Sequence, residues 1–424
     1  MSDYRKLTLP NGLRVLLVPQ PKSLATTVLI LVEAGSEYET KNTNGLSHFL
    51  EHLVFKGTAK RPKPGMIASE LDSLGAEYNA FTSYEYTGYW AKAQSHKLTQ
   101  ILELVSDLYL NPIFEKDEIE KERGVIVEEI NLYEDTPSRK VHDLFSSLLY
   151  GNQPAGWDIA GSKEVIRRLK QEDFIKYRNH RYVAGGTSVI IAGSFNEKKI
   201  EGEVRNLFSH LPRRSTSSKP KTSEHQSRPR SILKFKESDQ THLVLGTRAF
   251  DIFDKRRYII QVLADVLGGG MSSRLFRRVR EELGAAYYIR AGAELLLDHG
   301  YFGVSAGVDH TKIEKVIKAI LEELFRVKEE SIPTSELQKS KDHLIGSIIL
   351  GLETSDELAS FYGGQEILTK QILTPDRLIQ KVQAVKAEDL KEVARAIFRN
   401  KKLNLAVIGP YKKSQPFEKI LKFS

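Results

Sequence analysis

Five residues, His48-Phe49-Leu50-Glu51-His52, constrain this chain more than any other stretch. Side chains three or four apart on a helix lie on one face, so His48, Glu51 and His52 present themselves together. Two imidazoles so placed hold one zinc ion in a partly open site, and the carboxylate stands where it takes a proton from water activated there. Whatever the chain folds into must expose that helical face to a ligand while burying the opposite face.

The order His-x-x-Glu-His inverts the commoner zinc-protease motif and is itself a catalytic signature. The 424 residues, 40% hydrophobic and 28% charged, describe a globular protein of about two to four domains. There are no cysteines, which excludes disulfides, zinc ribbons and thiol catalysis and leaves only histidine and carboxylate as metal ligands. The most apolar run, residues 26–32, is strand-length, so no membrane span is expected. The N-terminus lacks the apolar core of a signal peptide, and the expected location is cytoplasmic. Part of the net charge of +8 lies in Arg213, Arg214, Lys219, Lys221, Arg228 and Arg230. That stretch has no apolar period and is expected to be a solvated linker rather than a nucleic-acid contact.

Along the chain, Asn11-Gly12 between alternating apolar residues predicts a hairpin over residues 4–19. Residues 26–32 predict a strand buried on both faces. Asn44-Gly45 opens the helix that bears the histidines, and Gly57 closes it. Strands are predicted at 77–82, 86–93 and 187–193, with helices at 97–110, 116–133, 138–149 and 198–210. Residues 211–230 form the linker. The second half repeats the first: Gly88-Tyr89-Trp90 corresponds to Gly300-Tyr301-Phe302, each followed by a strand and a long helix. The same offset lays His48, Glu51 and His52 on Ile260, Leu263 and Ala264; with six extra residues further on, Glu122 and Glu129 fall on Ser340 and Ser347. The second copy therefore has no ligands, and one zinc per chain is expected.

A stable site needs a third protein ligand. The helix 116–133 offers Glu118, Glu120, Glu122, Glu128 and Glu129. Positions 122 and 129 lie two turns apart on one stripe with Ile119 and Ile126, a face that points inward. A buried carboxylate needs a partner, and for Glu129 the metal is the obvious one. Glu122 is placed to hold a histidine N–H or a substrate amine. Helical geometry favours Glu129 over Glu128 without excluding the latter.

With these residues in view, the sequence resembles the pitrilysin/insulinase family of zinc peptidases, in its half-length subfamily akin to the mitochondrial processing peptidase. Gly45-Leu-Ser-His-Phe-Leu-Glu-His-Leu-Val-Phe-Lys-Gly57 is close to the family's motif, and Glu122-Arg123-Gly-Val-Ile-Val-Glu-Glu129-Ile130 is similar to its second. The resemblance spans nearly the whole chain. It implies His48, His52 and Glu129 as zinc ligands, Glu51 as general base and Glu122 as supporting carboxylate. It also implies that Asn79-Ala80-Phe81-Thr82 belongs to an edge strand that pairs with substrate backbone, with Asn79, Ala80 and Phe81 as the substrate-binding residues. Arg280 and Tyr287 match the family's arginine and tyrosine, the first for a substrate carbonyl, the second for the developing oxyanion. Tyr288 is a weaker candidate for that role. One departure is Pro154-Ala155-Gly156-Trp157, where the family has a proline-leucine-glycine run. Gly268-Gly269-Gly270 lacks the Gly-Lys-Ser/Thr continuation of a phosphate loop, so a helix-ending turn is expected there.

The expected fold class is α+β, with two similar domains of mostly antiparallel sheet covered by helices, the metallohydrolase fold of the processing-peptidase type. Residues 1–210 are expected to bind zinc, and residues 231–424 to form a metal-free homologous domain carrying Arg280 and Tyr287. The expected function is that of a zinc endopeptidase acting on peptides or unfolded segments inside a closed chamber, as a homodimer. The rival is an inactive binding or scaffold subunit of the same fold, against which the complete set of ligands, base and Arg/Tyr pair argues. The small zinc lyase that shares the inverted motif is excluded by length and by the absence of cysteine.

Overall fold

The protein is described by a computed structural model covering residues 4–411 and 417–423. Strands β1 (Arg5–Thr8), β2 (Arg14–Pro19), β3 (Ala25–Val32), β4 (Glu77–Thr82), β5 (Thr87–Gln94) and β6 (Thr187–Gly193) form one sheet in the order β1-β2-β6-β3-β5-β4. Strands β7 (Arg230–Phe235), β8 (Thr241–Arg248), β9 (Ala286–Leu295), β10 (Gly300–Val308) and β11 (Leu403–Gly409) form the other, in the order β7-β11-β8-β10-β9. From β2 onward the orders correspond strand for strand. Each sheet has one parallel pair, β2 with β6 and β7 with β11, and is otherwise antiparallel. This is the α+β duplication that the repeated pattern predicts.

The hairpin of β1 and β2 turns where Asn11-Gly12 stands. Gly12 takes a φ of +94°, a left-handed conformation that costs glycine little. Strand β3 sits between β5 and β6 and is buried over nearly its whole length, as its unbroken apolar run requires.

Five helices matter below: α1 (Leu46–Leu53), α2 (Lys116–Glu134), α3 (Pro137–Tyr150), α4 (Arg257–Gly268) and α5 (Ser355–Leu368). The chain forms two compact units, each drawn from discontinuous segments: 1–130, 158–220 and 349–374 in one, and 131–157, 221–348 and 375–424 in the other. The first sheet thus receives α5 from late in the sequence. Leu358, Ala359, Tyr362 and Ile367 pack on Leu16, Leu29, Leu31 and Ile190, and Gly363 lets the helix lie close, because a Cβ there would meet Leu31 Cδ1 at 2.9 Å. The second sheet receives α3 from early in the sequence, with Val141, Phe145 and Leu149 against Val244, Ala406 and Ile408. Each fully buried side chain of this size contributes about 1.5–3 kcal/mol by leaving water. On its other face the second sheet is covered by α4 and by the helices Ile313–Glu329 and Ala387–Ile397.

The stretch 211–230 contains neither helix nor strand before β7 begins, but it is not a wholly solvated tether. Lys219 Nζ lies 2.6 Å from Glu37 Oε2, with side-chain exposures of 6% and 1%. A lysine so buried is held by its partner, which composition alone does not reveal. No helix among the described residues is long and apolar enough to cross a membrane.

Candidate metal centre

Helix α1 buries Leu46, Phe49, Leu50 and Leu53, which turns His48, Glu51 and His52 to the other side, as their spacing dictates. Its start is fixed by two devices. Gly45 adopts φ +96°, and a Cβ there would meet Ala160 O at 2.5 Å, so only glycine fits. Glu39, 3% exposed, accepts hydrogen bonds from Gly45 N (2.7 Å), Ser47 N (2.6 Å) and Asn44 Nδ2 (3.1 Å). The bonds from Gly45 N and Ser47 N satisfy backbone N–H groups at the helix start that have no partner within the helix. Burial pushes the Glu39 carboxyl up to about 7, and its donors act in the opposite direction.

Helix α2 buries Ile119, Glu122, Ile126 and Ile130, the stripe expected from their spacing. It is tied down beside α1 by Arg123, which donates to the carbonyls of Ile166 and Leu169 and lies 5.7 Å from the Phe49 ring centroid. Glu129 then meets both histidines. Its Oε2 is 3.5 Å from His48 Nε2 and 3.4 Å from His52 Nε2. The ligand atoms of the three residues lie within 4.8 Å of one another. Ligands about 2.0–2.1 Å from a tetrahedral zinc ion stand about 3.3–3.4 Å apart, so this donor set fits zinc. Glu128, the neighbour that helical spacing left open, is exposed.

Glu122 does not join the donor cluster but supports it. Its Oε1 is 2.9 Å from His52 Nδ1, and its Oε2 is 2.6 Å from Lys56 Nζ. A carboxylate accepting from Nδ1–H fixes the tautomer that leaves Nε2 free for a metal. Burial would lower the pKa of His52, but hydrogen bonds to Glu122 and Glu129 and the charge of Glu51 raise it to about 9. Burial pushes Glu129 and Glu122 up, yet the histidines hold Glu129 far below the usual carboxylate range, and His52 and Lys56 hold Glu122 below it. Without a metal, then, Glu129 is a carboxylate beside a His52 imidazole that carries a proton; a divalent cation would displace that proton. His48 Nδ1 is buried with no hydrogen-bond partner among the described residues.

Glu51 stands beside β4, the edge strand of its sheet, and Thr82 Oγ1 donates to its Oε2 at 2.6 Å. Among the described residues β4 pairs with β5 only, along Glu77↔Lys92 to Thr82↔Thr87. Asn79 is exposed, and Ala80 and Phe81 are half-buried. The Phe81 ring fills the space where a Gly88 Cβ would lie, 2.4 Å from its Cζ. In the other compact unit, Arg280 lies in the π-helical segment Phe276–Glu282, and Tyr287 lies on β9, 71% exposed. The Arg280 guanidinium is 5.9 Å from the Tyr287 ring centroid. Tyr288 is engaged elsewhere, its hydroxyl 3.0 Å from His242 Nδ1.

The contacts of three residues of the site escaped sequence reasoning. Lys56 lies one turn beyond His52, a visible signal, but its partner on α2 was not. Thr82 belongs to the edge strand that the resemblance implied, but its bond to Glu51 left no mark in the sequence, and Glu39 precedes the helix by more than a capping residue usually does.

The comparisons with known proteins agree with this geometry. Residues 14–163 match the family described as insulinase (peptidase family M16), and residues 168–344 match the peptidase M16 inactive domain. A Bacillus subtilis protein named "uncharacterized zinc protease" is 32% identical over 96% of this chain and 98% of its own length. A Streptomyces coelicolor protein of the same description is 33% identical over 98% and 91%. The crystal structure of a protease from Helicobacter pylori superposes with a TM-score of 0.91 at 25% identity, covering 97% of this chain and all of that one. This chain belongs to peptidase family M16, the insulinase family.

Proposed function

We propose that this protein is a zinc-dependent endopeptidase in which His48, His52 and Glu129 hold one zinc ion and Glu51 is the general base. The observation that carries this reading is the convergence of His48 Nε2 and His52 Nε2 on one oxygen of Glu129, at 3.5 and 3.4 Å. The names of the relatives support zinc as the metal. When bound, the ion supplies the Lewis acidity that polarises a peptide carbonyl and acidifies water.

The remaining work falls to the chain's own residues. Glu122, backed by Lys56, holds His52 in the tautomer that keeps Nε2 available. The open edge of β4 at Asn79, Ala80 and Phe81 takes an extended peptide as an added strand. Main-chain hydrogen bonds then give affinity that tolerates varied sequence. Glu51 receives a proton from the attacking water and returns it to the leaving amine. Arg280 binds a substrate carbonyl and Tyr287 donates to the oxyanion. Substrates are peptides or unfolded segments, taken into a closed chamber formed by a homodimer.

A peptide-library digest with metal analysis tests this reading. Cleavage that requires zinc and fails in Glu51→Gln is expected. Cleavage surviving in metal-free protein or in Glu51→Gln would contradict it, and sedimentation as a monomer would remove the dimer.

A further inference from the structure

Thr82 is the last residue of β4, and its hydroxyl donates to Glu51 Oε2 at 2.6 Å. The length is that of a charge-assisted bond. Glu51 Oε1 has no protein hydrogen-bond partner among the described residues. One oxygen is therefore held and the other is left to accept a proton.

The donor is itself fixed. Thr82 pairs with Thr87 in the sheet, and the chain turns directly after it. Ser83 N donates to Tyr86 O at 2.9 Å, and Ser83 Oγ donates to the same carbonyl at 2.8 Å. Side chains alternate along a strand, so Tyr78, Ala80 and Thr82 share one face. Tyr78 meets Phe55, just past α1, at a ring-centroid distance of 6.3 Å, so this face is the one turned towards the metal-motif helix. Phe81 points the opposite way, against Tyr86 at 5.8 Å. The backbone proposed to receive a peptide at Asn79 to Phe81 runs without a break into the residue that holds the base.

We propose that Thr82 is a positioning residue for Glu51, which ties the strand that receives the peptide to the orientation of the catalytic carboxylate. This rests on the endopeptidase reading above. A carboxylate on three rotatable bonds samples several orientations, and one fixed hydroxyl removes most of that freedom where misplacement by an ångström costs about a hundredfold in rate. Because Thr82 acts through Glu51 and not on the metal, its loss should leave zinc content and KM unchanged and lower kcat.

Thr82→Val keeps the shape and removes the hydroxyl, whereas Thr82→Ser keeps the hydroxyl. Thr82→Val is expected to lower kcat by about tenfold or more, with Thr82→Ser restoring most of it. Wild-type kcat in Thr82→Val, or a Thr82→Ser as impaired as Thr82→Val, would overturn the proposal. A crystal structure of Thr82→Val provides a readout independent of turnover: the Glu51 carboxylate should leave its present place, and an unmoved carboxylate would also overturn it. A wild-type protein that binds zinc and cleaves no peptide would defeat the endopeptidase reading alone.

Discussion

His52 Nδ1 and Glu122 Oε1 lie 2.9 Å apart across 70 residues of sequence, and Lys56 Nζ occupies the other oxygen of the same carboxylate at 2.6 Å. One buried glutamate thus joins the histidine of the motif to the lysine one turn later. Such partners orient a ligand rather than supply one. Glu122→Gln is expected to weaken zinc binding about 10- to 100-fold without abolishing it, and Lys56→Met to weaken it less. Competition against a chelator of known affinity measures both. An unchanged affinity in Glu122→Gln would mean that His52 needs no support.

Glu39 gives a pH-dependent expectation. Its pKa in the fold, about 7, lies above the ordinary 4.5, so its contribution to stability is complete below pH 4.5 and lost as pH rises through 7. Glutamine cannot accept on both sides as Glu39 does, so Glu39→Gln should destabilise the protein. The deficit relative to wild type should shrink, by about 3 kcal/mol at most, between pH 4.5 and pH 8. Urea denaturation of chelator-treated protein at both pH values measures it. A deficit that grows with pH would show that the carboxylate is ionised throughout.

Lys6 and Arg14, on β1 and β2, both reach Glu366 on α5, at 2.7 and 3.0 Å, and the Glu366 side chain is fully buried. Removing that carboxylate takes one counter-charge from the buried Arg14, which keeps Glu33, whereas Lys6 is exposed and turns to water. Glu366→Ala should cost about 1–3 kcal/mol, read by denaturant unfolding. A loss below 1 kcal/mol would contradict this account of how α5 is held.

That pairing also marks where sequence stops being informative. The hairpin at Asn11-Gly12, the buried strand β3 and the face of α1 follow from local chemistry, and each was legible. Helical spacing favoured Glu129, which shares a stripe with Ile119 and Ile126, but left Glu128 open, and only the family resemblance separated the two. The placement of α5 on the first sheet and α3 on the second was not legible. An amphipathic helix records that one face is buried but not which sheet covers it, and Glu366 carries no mark of its partners. The partners of Thr82 and Lys56 were hidden for the same reason: each is reached only through tertiary structure.

Tyr287, largely exposed beside Arg280, is expected to act in turnover and not in metal binding. Tyr287→Phe should lower kcat by about 10²-fold, the usual cost of one oxyanion donor, with zinc content unchanged. Unchanged kcat, or a parallel loss of zinc, would remove Tyr287 from the proposed role.

The central claim is that His48, His52 and Glu129 hold the metal and Glu51 performs the proton transfer. The most direct measurement sets zinc stoichiometry beside peptide cleavage for three proteins: wild type, Glu51→Gln and the His48→Ala/His52→Ala double variant. The account expects one zinc per chain and cleavage in the wild type, one zinc and no cleavage in Glu51→Gln, and neither in the double variant. Full zinc retention by the double variant, or normal cleavage by Glu51→Gln, would contradict it.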